Sequence, residues 1–148
     1  MEKITSYYLL RFKILASTAL MTNKKFEKIV TRGIRKIPER FLKKLSNVAL
    51  VIEEKPTPKQ KRELHIRKEW TLFGLYEGVP QLARGTGYTG VLPDKITIFK
   101  KPIEEAAVNE KDIERIVAKT VWHEIAHHFG MNEAEVEIAE EKRIKSGK

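Results

Sequence analysis

Three side chains late in this 148-residue chain have the types and spacing to hold a metal ion. They are His123, Glu124 and His127, inside the run T-V-W-H-E-I-A-H-H-F-G-M-N-E (Thr120–Glu133). On a helix, residues four apart stack one turn above each other, so both imidazoles point the same way. Two neutral imidazoles can share one divalent ion, and the carboxylate beside the first reaches a water on that ion as a general base. Gly130 lets the chain leave the helix through the left-handed position that glycine takes without strain. That turn carries Glu133 back as a candidate third ligand, completing H-E-x-x-H-x-x-G-x-x-E. Glu135 and Glu137 compete for the role, since acids in a first helical turn also serve the helix dipole. At about 100° per residue, His123, Glu124 and His127 share the side of Ile113, Ile116, Val117 and Thr120. Unpaired polar groups are costly on such a core-facing side. Two ordinary core histidines and a buried acid would need three separate partners, whereas one ion and its water satisfy all three.

The elements that must position these groups follow from periodicity. Apolar residues at Phe26, Ile29, Val30, Ile34 and Ile37, with lysines and arginines between, predict an amphipathic helix from Lys24. Pro38 interrupts it and opens a short second helix carrying Phe41, Leu42 and Leu45. Val48–Ile52 reads as a buried strand, Lys55–Arg62 as an exposed loop, and Leu72–Tyr76 as a second strand. Glu77–Gly90, with four glycines, reads as a long loop placed for substrate contacts. Lys95–Phe99 alternates polar and apolar residues and predicts a half-buried strand, ended by Pro102 and offered as the sheet edge on which an extended substrate pairs. Asn109 caps the metal helix, Glu110–Phe129, and Asn132 caps a last helix with acids first and bases last. His128 and Trp122 pack or support the site, and His65 is a surface residue.

Composition narrows the classes. One domain is expected at this length, residues 21–148, with 1–20 an N-terminal extension outside it. There is no cysteine, so disulfides and thiolate metal sites are excluded, and a zinc ion here takes nitrogen and oxygen ligands. The formal charge of +9 is uneven: residues 1–68 carry 18 Lys/Arg against 6 Asp/Glu, and the remainder 11 against 14. Helical spacing makes the basic residues a solvated helix face rather than a nucleic-acid surface. No run approaches the roughly 20 apolar residues that span a bilayer. Ile14–Met21 is at most a short export h-region, so the expected location is cytoplasmic, with Met21 a second candidate start.

Three ordered blocks, G-L-Y-E-G-V-P (Gly74–Pro80), Y-T-G-V-L-P-D-K-I-T-I-F (Tyr88–Phe99) and H-E-I-A-H-H-F-G-M-N-E (His123–Glu133), resemble the minimal zincin-like family of small bacterial zinc metallopeptidases. The resemblance runs from about Met21 to Ala139. It implies a compact α+β zincin fold with a small sheet beside the metal helix, His123 and His127 as zinc ligands, and Glu124 as general base. The family usually has Asp where Glu133 stands, and Glu is one methylene longer. The expectation is a zinc hydrolase acting on a peptide or protein, with Tyr88 or Tyr76 assisting the oxyanion. The alternative is a metal-stabilised binding module whose basic N-terminal helices meet nucleic acid or an acidic protein. A purely structural zinc fits less well, since Glu124 would then have no task.

Overall fold

Helix α5 (Glu110–His128) is the longest element, and the rest of the fold is packed around it. The computed structural model describes residues 2–9, 21–67, 70–87 and 92–146, for 2–9 the backbone alone. The order is β1 (Glu2–Leu9), α1 (Asn23–Arg35), α2 (Glu39–Leu42), β2 (Val48–Glu53), α3 (Pro58–Glu63), β3 (Trp70–Gly78), β4 (Asp94–Phe99), α4 (Lys100–Ala106), α5 and α6 (Glu133–Lys145). The fold is α+β: one mixed sheet, in the order β1-β3-β4-β2, lies against the helices.

Four stretches depart from the expectations. Residues 2–9, expected outside the domain, form β1, which pairs antiparallel with β3 from Glu2↔Gly78 to Leu9↔Trp70. Pairing supplies partners for backbone groups that a bare β3 edge would leave open. A register shift at Ser6/Tyr7 breaks the alternation by which such a strand is read from sequence. Lys95–Phe99, expected at the sheet edge, is interior: it pairs antiparallel with β3 and parallel with β2. The edges are β1 and β2, and β2 accordingly is only half-buried rather than core, with Leu50 39% exposed. Within the expected Lys55–Arg62 loop, α3 forms behind a capping box in which Thr57 and Gln60 satisfy each other's backbone N–H, with Pro58 opening the helix.

The main core is built where one face of α1 (Phe26, Ile29, Val30) meets Ile113, Ile116, Val117, Val121 and Ile125 of α5, with Phe73, Ile96 and Ile98 from the sheet. Burying side chains of this kind stabilises by about 1.5–3 kcal/mol each, less their ordering entropy. At the rim, the bases of α1 meet the acids of α5. Lys25 pairs with Glu110, while Arg32 (3.1 Å) and Lys36 (2.9 Å) both reach Glu114. The charge imbalance along the chain is thus partly neutralised within the fold. Among the described residues, no helix is long and apolar enough to cross a membrane.

Candidate metal centre

The site grows from the end of α5. Asn109 caps the helix by accepting from the Asp112 N–H (2.9 Å), and the helix runs unbroken to His128. It closes in a Schellman turn. Gly130, at φ 91°, donates to the His127 carbonyl (2.8 Å), and Met131 donates to the Ala126 carbonyl (3.1 Å). The reversal sends the chain into α6, whose first residue is Glu133. Asn132 caps α6 through the Glu135 N–H (3.0 Å), while Glu135 accepts from the Asn132 N–H (2.8 Å). Glu135 is therefore occupied at the cap, Glu137 is exposed, and Glu133 alone of the three acids faces the imidazoles.

His123, His127 and Glu133 each bring a ligand atom within 4.8 Å of the others. His123 Nε2 lies 3.1 Å from Glu133 Oε2, and His127 Nε2 lies 3.0 Å from Glu133 Oε1. The far side of each ring is also held. His127 Nδ1 is 2.9 Å from the Met131 carbonyl, which can only accept, so that nitrogen carries the proton. His123 Nδ1 is 3.2 Å from Glu140 Oε1 and donates to it likewise. Partners of this sort turn a ligating imidazole's lone pair towards the metal and raise its basicity. His127 Nε2, fully buried, faces a carboxylate oxygen without the alignment of a hydrogen bond. A lone pair facing a carboxylate at that distance calls for a cation between them, so these residues fit zinc bound by two nitrogens and an oxygen.

With no ion present, a proton takes part of that role. Burial lowers the His123 pKa, but hydrogen bonds to Glu133 and Glu140 and the charge of Glu124 outweigh it, raising the pKa to about 9. Burial raises the Glu133 pKa, and the two histidines against its carboxylate bring it down to about 2. The site is reachable, because the Glu133 side chain is 46% exposed while the His127 ring is buried.

Glu124 is fully buried and points towards β3. Gly74 gives it room: a Cβ there would sit 3.1 Å from Glu124 Cγ and 2.6 Å from Thr120 Cγ2. The profile of the zincin-like metallopeptidase family matches residues 45–142, more than half of the chain and including all of these groups. The chain belongs to that family. Among solved structures, a conserved hypothetical protein from "Thermo thermophilus" is similar, with 26% identity over 74% of this chain and 94% of its own, at a TM-score of 0.48. No curated protein matches.

Beside the candidate metal centre of this zincin-like chain lies a second polar cluster that sequence reasoning missed. Asp94 Oδ2 accepts from Tyr76 Oη (2.5 Å), Arg84 (2.8 Å) and His128 Nδ1 (3.0 Å), and Oδ1 accepts from the Val79 N–H (3.1 Å). Gln81 donates to His128 Nε2 (3.0 Å) and to the Lys44 carbonyl (2.8 Å). The cluster ties the loop after β3 to the end of α5, and Leu82 of that loop lies against Gly130. Burial would raise the Asp94 pKa, but the hydrogen bonds of Tyr76, Val79 and Arg84 lower it overall. Burial and the Arg84 charge hold the His128 pKa low despite Asp94. His128 thus supports the site without facing it. Tyr76, offered as an oxyanion partner, has its hydroxyl on Asp94, and Tyr88 lies outside the described residues. Trp122 packs edge-on against Phe41 at 4.7 Å, and His65 is exposed. Nothing in the spacing of Asp94 points to His128. Glu140 was findable: seven residues after Glu133, it falls on the same face of α6.

Proposed function

We propose that this zincin-like protein is a zinc-dependent peptidase in which His123, His127 and Glu133 hold the ion and Glu124 is the general base. The observation that carries the reading is the pair of Nε2 atoms turned onto one carboxylate, each ring fixed by an acceptor behind it. Bound zinc supplies a Lewis acid that brings a water's pKa towards neutrality and polarises the scissile carbonyl. Glu124 accepts the proton of the attacking water on a carboxylate oxygen and delivers it to the leaving amine. Its buried place between α5 and Gly74 keeps it out of bulk solvent and at a set height beside His123. An extended polypeptide could pair only with the edges, β1 or β2, since β4 is paired on both sides. The binding-module alternative draws on the basic N-terminal region, of which Lys25, Arg32 and Lys36 pair with acids of α5.

The test pairs two variants, read by zinc stoichiometry and by cleavage of a peptide library. Glu124→Gln should keep about one zinc per chain and lose hydrolysis by roughly 10²–10⁴-fold. Glu133→Ala should weaken zinc binding itself. Loss of zinc from Glu124→Gln with retention in Glu133→Ala would reverse the two roles, and a zinc-loaded wild type that cleaves no peptide would overturn the activity.

A further inference from the structure

A second concavity lies outside the metal centre, where the end of α1, the middle of α5 and the outer half of α6 meet. It is an open pocket of about 350 Å³. Its wall carries four cations, Lys36, Arg115, Lys119 and Arg143, against a single carboxylate, Glu140. That carboxylate is already directed at His123 Nδ1 (3.2 Å) and lies 3.7 Å from Lys119. Lys36 and Arg115 pair with Glu114 and Asp112, but their own side chains are 50% and 66% exposed, so each keeps N–H donors for a second carboxylate. Trp122 forms the apolar wall. It is 6% exposed, and its indole N–H has no hydrogen-bond partner among the described residues. A buried donor without an acceptor is costly, and an acceptor entering the pocket would relieve it.

We propose that this pocket binds an acidic side chain of a polypeptide, holding its carboxylate among the four cations and its aliphatic stem against Trp122. The chemistry favours that occupant over two others. A nucleobase would need an open aromatic face, but Phe41 meets the Trp122 ring at 4.7 Å and the Arg143 guanidinium lies over it at 5.4 Å. A small inorganic anion would match the charge yet leave the apolar wall and most of the volume unfilled. Glutamate with its flanking backbone supplies both parts, an anionic head on an apolar stem. The pocket and the metal centre share Glu140, so a residue seated here is held within one side chain of His123. In making this polypeptide the substrate, the inference rests on the peptidase reading; the binding itself does not.

The test titrates the ¹⁵N-labelled full-length chain with tetra-glutamate, tetra-glutamine and inorganic phosphate. The two tryptophans give two indole N–H signals, so Trp70 is an internal control for Trp122. Tetra-glutamate should move the Trp122 signal, saturate at one equivalent by calorimetry, and bind at least about tenfold more tightly than phosphate. Lys36→Gln/Arg115→Gln, which removes two exposed cations, should weaken it at least about tenfold, as expected for hydrogen bonds to charged groups. An unmoved Trp122 signal, equal affinity for phosphate or tetra-glutamine, or unchanged binding in the double variant would each overturn the assignment. If tetra-glutamate binds as expected but no peptide is ever cleaved, the pocket stands and the peptidase reading falls.

Discussion

Replacing Gly74 by alanine tests the packing that sets the height of Glu124. Gly74 is buried in β3 at the point where α5 crosses the sheet. An added Cβ would lie 2.6 Å from Thr120 Cγ2, 3.1 Å from Glu124 Cγ and 3.2 Å from Glu124 Oε1, against about 3.5–4.0 Å for carbons at ease. Neither side can yield freely. β3 is hydrogen-bonded to β1 and β4, and α5 is packed on α1 from its other side. Overpacking of this kind costs about 1–3 kcal/mol, against about 0.5–1 kcal/mol gained by restricting the unfolded chain. The net expectation is about 1–2 kcal/mol of destabilisation, a fall in Tm of roughly 3–8 °C for a chain of this size. Urea denaturation of the full-length chain measures it, with Gly85→Ala as control, since an added Cβ there meets nothing within 4 Å. Thr120→Ser removes the methyl that is struck first, so Gly74→Ala/Thr120→Ser should recover about 1 kcal/mol relative to the sum of the single variants. Zinc content should hold in Gly74→Ala, because the added Cβ meets none of His123, His127 and Glu133, while hydrolysis falls as Glu124 is displaced. Additive single variants, or a Gly74→Ala protein as stable as wild type, would refute the close approach of helix and strand.

Other predictions follow from the same geometry. In metal-free protein, His123 titrates near 9, above its ordinary 6.5, so the stability it contributes is full below pH 6.5 and is lost as pH rises towards 9. Glu133, near 2 instead of 4.5, contributes above pH 4.5 and loses its contribution as pH falls towards 2. Urea midpoints measured under chelator should therefore be highest between about pH 4.5 and 6.5 and decline to pH 9; a flat profile across that upper window would contradict the ion pair. Asp94→Asn leaves Arg84 without its buried countercharge and should cost about 3–5 kcal/mol by urea denaturation, whereas a loss below about 1 kcal/mol would show the cluster to be dispensable. Removing residues 1–20 uncovers the β3 edge and should lower Tm by more than about 8 °C, and coincident melts would show that β1 contributes little.

How much of this was legible in the sequence depends on how far apart the interacting residues are along the chain. The α5 pattern was readable because Ile113, Ile116, Val117, Thr120, His123 and His127 lie within five turns of one helix, where period and caps act locally. Gly130 and the Asn132 cap extended that reach by one turn of chain, enough to bring in Glu133. The sheet order was not readable. The alternation in Lys95–Phe99 reports that its two faces differ, but an interior strand under helices and an edge strand can share that pattern, and only the parallel partner β2 decides between them. β1 was hidden for a related reason, since its partner is some seventy residues away and its register shifts midway.

The Asp94 cluster shows where local reading ends. Its members come from β3, the loop after it, the start of β4 and the end of α5, and no pair of them is spaced as a motif. Yet it borders the turn from which Glu133 is launched, with Gln81 hydrogen-bonded to His128 and Leu82 beside Gly130. The extra methylene of Glu133 acts on the same turn. Glu133 reaches both imidazoles with one oxygen each while its backbone remains in the first turn of α6. A Glu133→Asp change would withdraw the carboxylate by one carbon, with α5 held by the sheet and the Asp94 cluster on one side and α6 held by its Asn132 cap on the other. The Glu133 carboxylate is thus matched to a spacing between two helices that residues far from His123 and His127 help to determine.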